Sequence, residues 1–217
     1  MRTITITKTV CNFDELNDKA KERALNKIIE RFGYDARDFT SDDYEGTLKE
    51  IEKVFHIKVQ NWEVDSEYRY HYTFDFTNYR WDSWNCDYED EPRMLTRFLN
   101  NEVFPWIKGK YFGKCYKGED GKLVHKKRYS KVLPDRGGCY LTGVYTDYAF
   151  DKVVDNAFEY VRKGYTIRQF VNEVLDEFFS SWGKELDYLL TEEYAREQID
   201  EREIEFYDNG DIYGTAW

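Results

Sequence analysis

Apolar and polar residues alternate from Met1 through Thr7 and on towards Val10, the period of a strand rather than the continuous apolar run of an export signal. Beyond Phe13 the period lengthens. Ala20, Ala24, Leu25, Ile28, Ile29 and Phe32 recur at helical spacing, so one helical face is apolar. Asn17 is expected to cap this helix and Asp18 to meet its positive end, with Gly33 as its left-handed stop. A second stripe of Tyr44, Leu48, Ile51 and Phe55 predicts a helix from about Asp42, with Ser41 or Asp42 as its cap.

The period then shortens again. Ile57, Val59 and Asn61 alternate with Lys58 and Gln60 before Trp62 and Val64, and a polar turn follows at Asp65-Ser66-Glu67. Tyr68, Tyr70, Tyr72, Phe74 and Phe76 next share one face of a strand, with Arg69, His71, Thr73, Asp75 and Thr77 on the other. Two such strands across a short turn predict an antiparallel hairpin. Pro92 suits the first turn of a helix carrying Met94, Leu95, Phe98, Leu99 and Val103, which Pro105 ends. Cys139–Tyr145 predicts a strand, and Phe150, Val153, Val154, Ala157, Phe158 and Val161 a helix ending at Gly164. Thr166 with Gln169 forms a capping box for a long helix through Leu189, and Thr191 caps a shorter one. Asn209-Gly210 between Phe206-Tyr207 and Ile212-Tyr213 is a hairpin signal. These elements predict an α+β fold: an antiparallel sheet with terminal strands and hairpins, packed against about five or six helices.

Composition narrows the class. With 217 residues, 18% aromatic and 35% charged, the chain is large enough for a proper core beneath a heavily charged exterior. Only 3 prolines argue for a single domain over 1–217. No apolar run reaches the ~18 residues of a membrane span. Cys11, Cys86, Cys115 and Cys139 are scattered, the usage expected of reduced thiols in a cytoplasm.

The net charge of -11 is unevenly spread. Ten Lys and Arg fall between Lys108 and Arg136 against Glu119, Asp120 and Asp135, a local net of +7 that leaves -18 on the remainder. This Gly- and Lys-rich stretch, at about 108–137, is expected to be a basic loop or protruding hairpin. A body so acidic repels nucleic acid and attracts basic protein surfaces. Lys126, Lys127 and Arg128 are the residues that could still meet a phosphate or an acidic partner.

Catalytic chemistry finds no foothold in the pattern. His56, His71 and His125 stand in no nucleophile–base motif. The cysteines lack the close pairs of a structural zinc site, and Gly109, Gly113, Gly118 and Gly121 precede no Gly-Lys-Ser/Thr ending. Neither catalytic residues, metal ligands nor a cofactor are assigned. The aromatic stripe from Tyr68 to Phe76 invites comparison with base-stacking sheets, but its acidic surroundings favour a core face. Between the hairpin and Pro92, Trp81, Trp84 and Tyr88 interleave with Asp82, Asp87, Glu89, Asp90 and Glu91. Carboxylates set among Trp and Tyr are what a basic partner surface would grip.

Three stretches carry a family resemblance. Phe13-Asp14-Glu15-Leu16-Asn17-Asp18-Lys19-Ala20-Lys21-Glu22-Arg23-Ala24 resembles "FDELSDEAKEKA", the opening of a widespread group of small, largely uncharacterised acidic phage and prophage proteins. Phe55-His56-Ile57-Lys58-Val59 through Trp62 and the aromatic strand is a second match. Glu185 to Gly210 is similar to the group's closing "EYEYLTSDEAIEETIEANEYEFTEDG". The resemblance spans most of the chain but not the basic segment. It implies a mobile-element protein acting inside a bacterial cell, and supplies no catalytic residues. Together with the charge pattern it leads to the expectation of a non-enzymatic inhibitor of a host defence protein, of anti-CRISPR or anti-restriction type. The alternative is an antitoxin-like or regulatory protein that binds nucleic acid.

Overall fold

The computed structural model describes residues 8–77, 92–103, 115–117, 123–125 and 146–214. The fold is α+β, with helices predominating. Among the described residues the strands form three separate two-stranded antiparallel ladders rather than one sheet. Contacts group the chain into two compact units, Met1–Ser41 with Lys184–Trp217, and Asp42–Gly183.

In the first unit, a 3-10 turn at Phe13–Glu15 leads to helix α1, Asp18–Ile28. The expected cap is formed: the Ala20 amide donates to Asn17 Oδ1 at 3.0 Å, satisfying an amide the helix leaves open. Ala20, Ala24, Leu25 and Ile28 bury the predicted stripe together with Ala195, Ile199, Phe13 and Phe206. The helix does not stop at Gly33. It passes through a π-helical stretch, Ile29–Gly33, directly into α2, Tyr34–Phe55, so the expected break before Asp42 is corrected. Gly33 is buried and helical, and a Cβ there would lie 2.6 Å from the Leu189 carbonyl oxygen. Close approach, not a left-handed stop, explains this glycine. Strand β1, Val10–Cys11, pairs antiparallel with a strand at Phe206–Tyr207. The Asn-Gly turn after it closes with Gly210 at φ 84 and a bridge from Phe206 to Ile212.

The second unit is organised by aromatic stacking on one helix. Strands β2, Ile57–Ser66, and β3, Arg69–Phe76, form the predicted hairpin. A bulge at Asn61-Trp62, with Asn61 at φ 47, changes the register between Gln60 and Glu63. The inward positions of β2 therefore switch from Ile57 and Val59 to Trp62 and Val64. Tyr68 falls in the turn and is 85% exposed, so it is removed from the expected core stripe. Helix α3, Pro92–Phe98, runs into a π-helical stretch, Leu99–Val103. Short strands β4, Cys115–Lys117, and β5, Leu123–His125, pair within the basic segment. Helices α4, Asp151–Asp155, and α5, Ala157–Arg162, end at Gly164 with φ 77.

Helix α6, Ile167–Tyr188, starts at the predicted box. The Thr166 amide donates to Gln169 Oε1 at 2.9 Å, and the Gln169 amide to Thr166 Oγ1 at 3.1 Å. Phe170, Phe178, Phe179 and Trp182 on it are buried. Tyr44 stacks on Trp182 with centroids 5.3 Å apart, and Trp62 approaches Trp182 at 5.2 Å. Burying each such ring stabilises the fold by about 1.5–3 kcal/mol. Helix α7, Glu192–Glu201, is capped by Thr191, whose Oγ1 accepts from the Tyr194 amide at 3.1 Å. The closing strand is β6, Phe206–Tyr207.

Candidate partner-binding surfaces

The residues singled out by sequence, Trp81 to Glu91 and Lys126 to Arg128, lie outside the described residues. What the structure brings together is two acidic surfaces that sequence reasoning did not assemble, one in each unit.

In the second unit, β3 and α6 meet along a seam of tyrosines and carboxylates. Tyr72 lies over Phe179 with centroids 5.1 Å apart, and its hydroxyl donates to Asp176 Oδ1 at 2.8 Å. Tyr165 donates to Glu173 Oε1 at 3.3 Å. Glu173, Asp176 and Glu177 project from one stretch of α6. Among the described residues none of the three is paired with a Lys or Arg.

The phenols register this charge. Burial first, then the Asp176 hydrogen bond and charge, pushes Tyr72 well above the ordinary tyrosine range. Tyr70 is raised by burial and by the charges of Asp176 and Glu177. Tyr160 is raised by burial and then by Glu173, whereas for Tyr165 the Glu173 charge comes first. Like charges one helical turn apart oppose helix formation by a few tenths of a kcal/mol per pair. The seam thus concentrates negative charge at some expense to stability.

In the first unit, the Phe13–Glu15 turn and the end of α7 bound a cleft of about 660 Å³. Phe13 and Ile199 are buried and Ile204 half-buried along it, while Asp14, Asp200, Glu203 and Glu205 are exposed carboxylates on its lining. Asn12 completes the lining. Helix α7 ends in a Schellman arrangement: the Ile204 amide donates to the Ile199 carbonyl at 3.0 Å, and the Glu203 amide to that of Asp200 at 3.4 Å. Glycine normally fills the left-handed position of this motif, but here Glu203 does, at φ 51. The cleft brings Asn12, Phe13 and Asp14 against Ile199, Asp200, Glu203, Ile204 and Glu205, far apart in the sequence.

The histidines take other roles. His56 occupies the left-handed position after α2, φ 53, and its carbonyl accepts from the Thr77 amide at 2.9 Å. Its Nε2 lies 3.1 Å from Glu102 Oε2, beside a cavity lined by Lys49, Glu52, Lys53, Ile57 and Thr77. The pair ties the helix-to-strand junction to the stretch after α3. His71 lies exposed, 3.8 Å from Glu63. Phe39, 74% exposed on α2 next to Asp38 and one turn after Asp35, is a further apolar side chain facing solvent. Among the described residues no cluster of three or more His, Cys, Asp or Glu is placed to hold a metal ion, and no helix is long and apolar enough to cross a membrane.

The chain matches no family model, no curated protein and no solved structure. Its class is therefore defined by the fold: an α+β protein with aromatic-lined acidic surfaces.

Proposed function

We propose that the protein acts by binding rather than catalysis, as a phage-encoded inhibitor of a bacterial defence complex of anti-CRISPR or anti-restriction type. Its acidic face would occlude a basic, nucleic-acid-binding surface of a host nuclease or effector in the cytoplasm. The seam of Tyr70, Tyr72 and Tyr165 with Glu173, Asp176 and Glu177 carries this reading, because its carboxylates have no basic partner within the described residues. Unpaired carboxylates among half-buried tyrosines suit an Arg- or Lys-rich surface, since tyrosine offers rigid contact area and the charge steers encounter. The phage-like terminal motifs and the -18 outside the basic segment support the same partner class.

The test is phage challenge of bacteria carrying a defined CRISPR or restriction system and expressing the protein. Plaques should recover with the wild type and be lost with the Glu173→Lys, Asp176→Lys, Glu177→Lys variant. Unchanged recovery by the folded variant would remove the seam from the mechanism. Absence of recovery across the systems would count against the inhibitor class. The runner-up reading, nucleic-acid binding through Lys126, Lys127 and Arg128, predicts a salt-sensitive complex with DNA or RNA in the absence of any protein partner.

A further inference from the structure

The closing turn of the first unit carries the chain's single Asn-Gly pair, Asn209-Gly210. In such a pair the asparagine side chain is open to attack by the next backbone nitrogen, because glycine has no side chain to obstruct it. A larger residue does not fit at 210. Its φ is 84, and a Cβ on Gly210 would lie 2.3 Å from the Ala20 carbonyl oxygen. The fold therefore demands the reactive pair, on an exposed turn within reach of water.

The same turn holds both reacting groups still. The Gly210 N–H donates to the Tyr207 carbonyl at 2.9 Å. Both ends of the Asn209 amide are engaged by Asp211: Oδ1 accepts from the Asp211 N–H at 3.0 Å, and Nδ2 donates to Asp211 Oδ2 at 2.9 Å. The other oxygen of that carboxylate, Oδ1, meets Lys27 Nζ at 2.7 Å and Arg23 Nη2 at 2.8 Å on α1. Asp211 is thus a clasp, with the turn in one oxygen and the helix in the other. Ring closure requires the Asn209 amide to rotate towards the Gly210 nitrogen. It also requires that nitrogen to release the proton it gives to Tyr207. Both are opposed while the clasp is shut.

We propose that Asn209 is a site of hydrolytic modification gated by this clasp, protected in the closed hairpin and deamidated once the hairpin opens. In the step, the Gly210 nitrogen loses its proton to solvent and bonds to Asn209 Cγ. The side-chain nitrogen leaves as ammonia, and water opens the cyclic imide to aspartate or isoaspartate. The product resists reclosure. It lacks the Nδ2–H that met Asp211 Oδ2, and it sets a second carboxylate beside that oxygen. The isoaspartyl form also adds a methylene to the backbone before Gly210, which displaces the glycine from its slot against Ala20. Opening of the terminal hairpin is in this way recorded covalently. This switch is independent of the inhibitor reading.

The test is mass spectrometry of the carboxyl-terminal peptide, cut from the full chain after incubation in mildly alkaline buffer. Folded wild type should deamidate at Asn209 about tenfold or more slowly than the same chain in denaturing urea, because reaction proceeds only through the open fraction. Asp211→Ala should close most of that gap while circular dichroism stays native. The Arg23→Gln, Lys27→Gln variant keeps the turn's own hydrogen bonds and should react at an intermediate rate, so it carries the test if the Asp211 variant unfolds. Asn209→Asp, which stands for the product, should melt below the wild type. Equal rates in the folded and denatured wild type would show that the hairpin does not guard Asn209. Folded clasp variants as slow as the wild type would overturn the gating by Asp211. An Asn209→Asp chain as stable as the wild type would overturn the one-way character of the step.

Discussion

Gly183 on α6 packs so tightly against the hairpin turn that a Cβ on it would lie 2.2 Å from the Ser66 carbonyl oxygen and 2.4 Å from the Glu67 nitrogen. Both neighbours are backbone, so no rotamer change relieves the contact. Alanine should raise the helix propensity of α6 by about 1 kcal/mol, yet forcing the turn away costs typically 1–3 kcal/mol and loosens the ring stack beneath it. The clash is expected to win. Gly183→Ala should lower the melting temperature by several degrees, and a melting temperature at or above that of the wild type would show that the turn yields freely.

Gly33 and Gly164 make a contrasting pair. At Gly33 the backbone is helical, and the obstacle to a side chain is the Leu189 carbonyl 2.6 Å away; at Gly164 the space is open and φ is 77. Gly164→Ala should therefore cost about 1 kcal/mol through the left-handed backbone alone. Gly33→Ala should cost more, through displacement of the α6–α7 connection. Equal thermal shifts for the two variants would contradict that separation.

The same pair marks the limit of what the sequence discloses. Caps were legible because their hydrogen bonds are local: Asn17, Thr166 and Thr191 each bond an amide three residues on. So was the hairpin, but not its bulge: the alternation set Asn61 on the face of Ile57 and Val59, where the structure leaves it exposed and shifts the register. Gly33 was misread because a stop and a close approach leave the same letter, and only Leu189, distant in sequence, distinguishes them. The surfaces failed for a related reason. Glu173, Asp176 and Glu177 look like the solvated face of a helix until β3 brings Tyr72 against them. The cleft offered one faint signal, Glu203 standing where a helix end usually carries glycine. Charge runs drew attention to 81–91 and 126–128 instead, since sequence shows charge density but not which carboxylates lack a partner.

Asp211 makes the first unit sensitive to acid. Its Oδ1 lies 2.7 Å from Lys27 Nζ and 2.8 Å from Arg23 Nη2, and its carboxyl is held below the usual range by the Lys27 hydrogen bond, then Asn209, with the Arg23 charge adding. A carboxyl lowered in the folded state stabilises at pH above its unfolded value, and that contribution disappears as pH falls through the folded value. Wild-type stability should therefore decline with acidification from about pH 4 downward, and Asp211→Asn should flatten that part of the profile. Because the groups are partly exposed, added salt should shrink the difference. Parallel acid profiles for the two proteins would remove Asp211 from the account.

The tyrosine seam predicts the opposite dependence at alkaline pH. A phenol raised in the folded state binds its proton when the unfolded chain has released it, so stability is fully present below the ordinary value of 10.0 and falls as pH rises beyond it. Absorbance titration at 295 nm should show Tyr70, Tyr72, Tyr160 and Tyr165 ionising after the exposed tyrosines. Their causes differ in order, which makes the variants distinguishable. Glu173→Gln should bring Tyr165 most of the way back, since the Glu173 charge leads its shift. Asp176→Asn should lower Tyr72 only in part, since burial against Phe179 leads there and survives the substitution. If both variants titrated like the wild type, the three carboxylates would not be focusing charge on the seam, and the surface offered to a basic partner would lose its electrostatic basis.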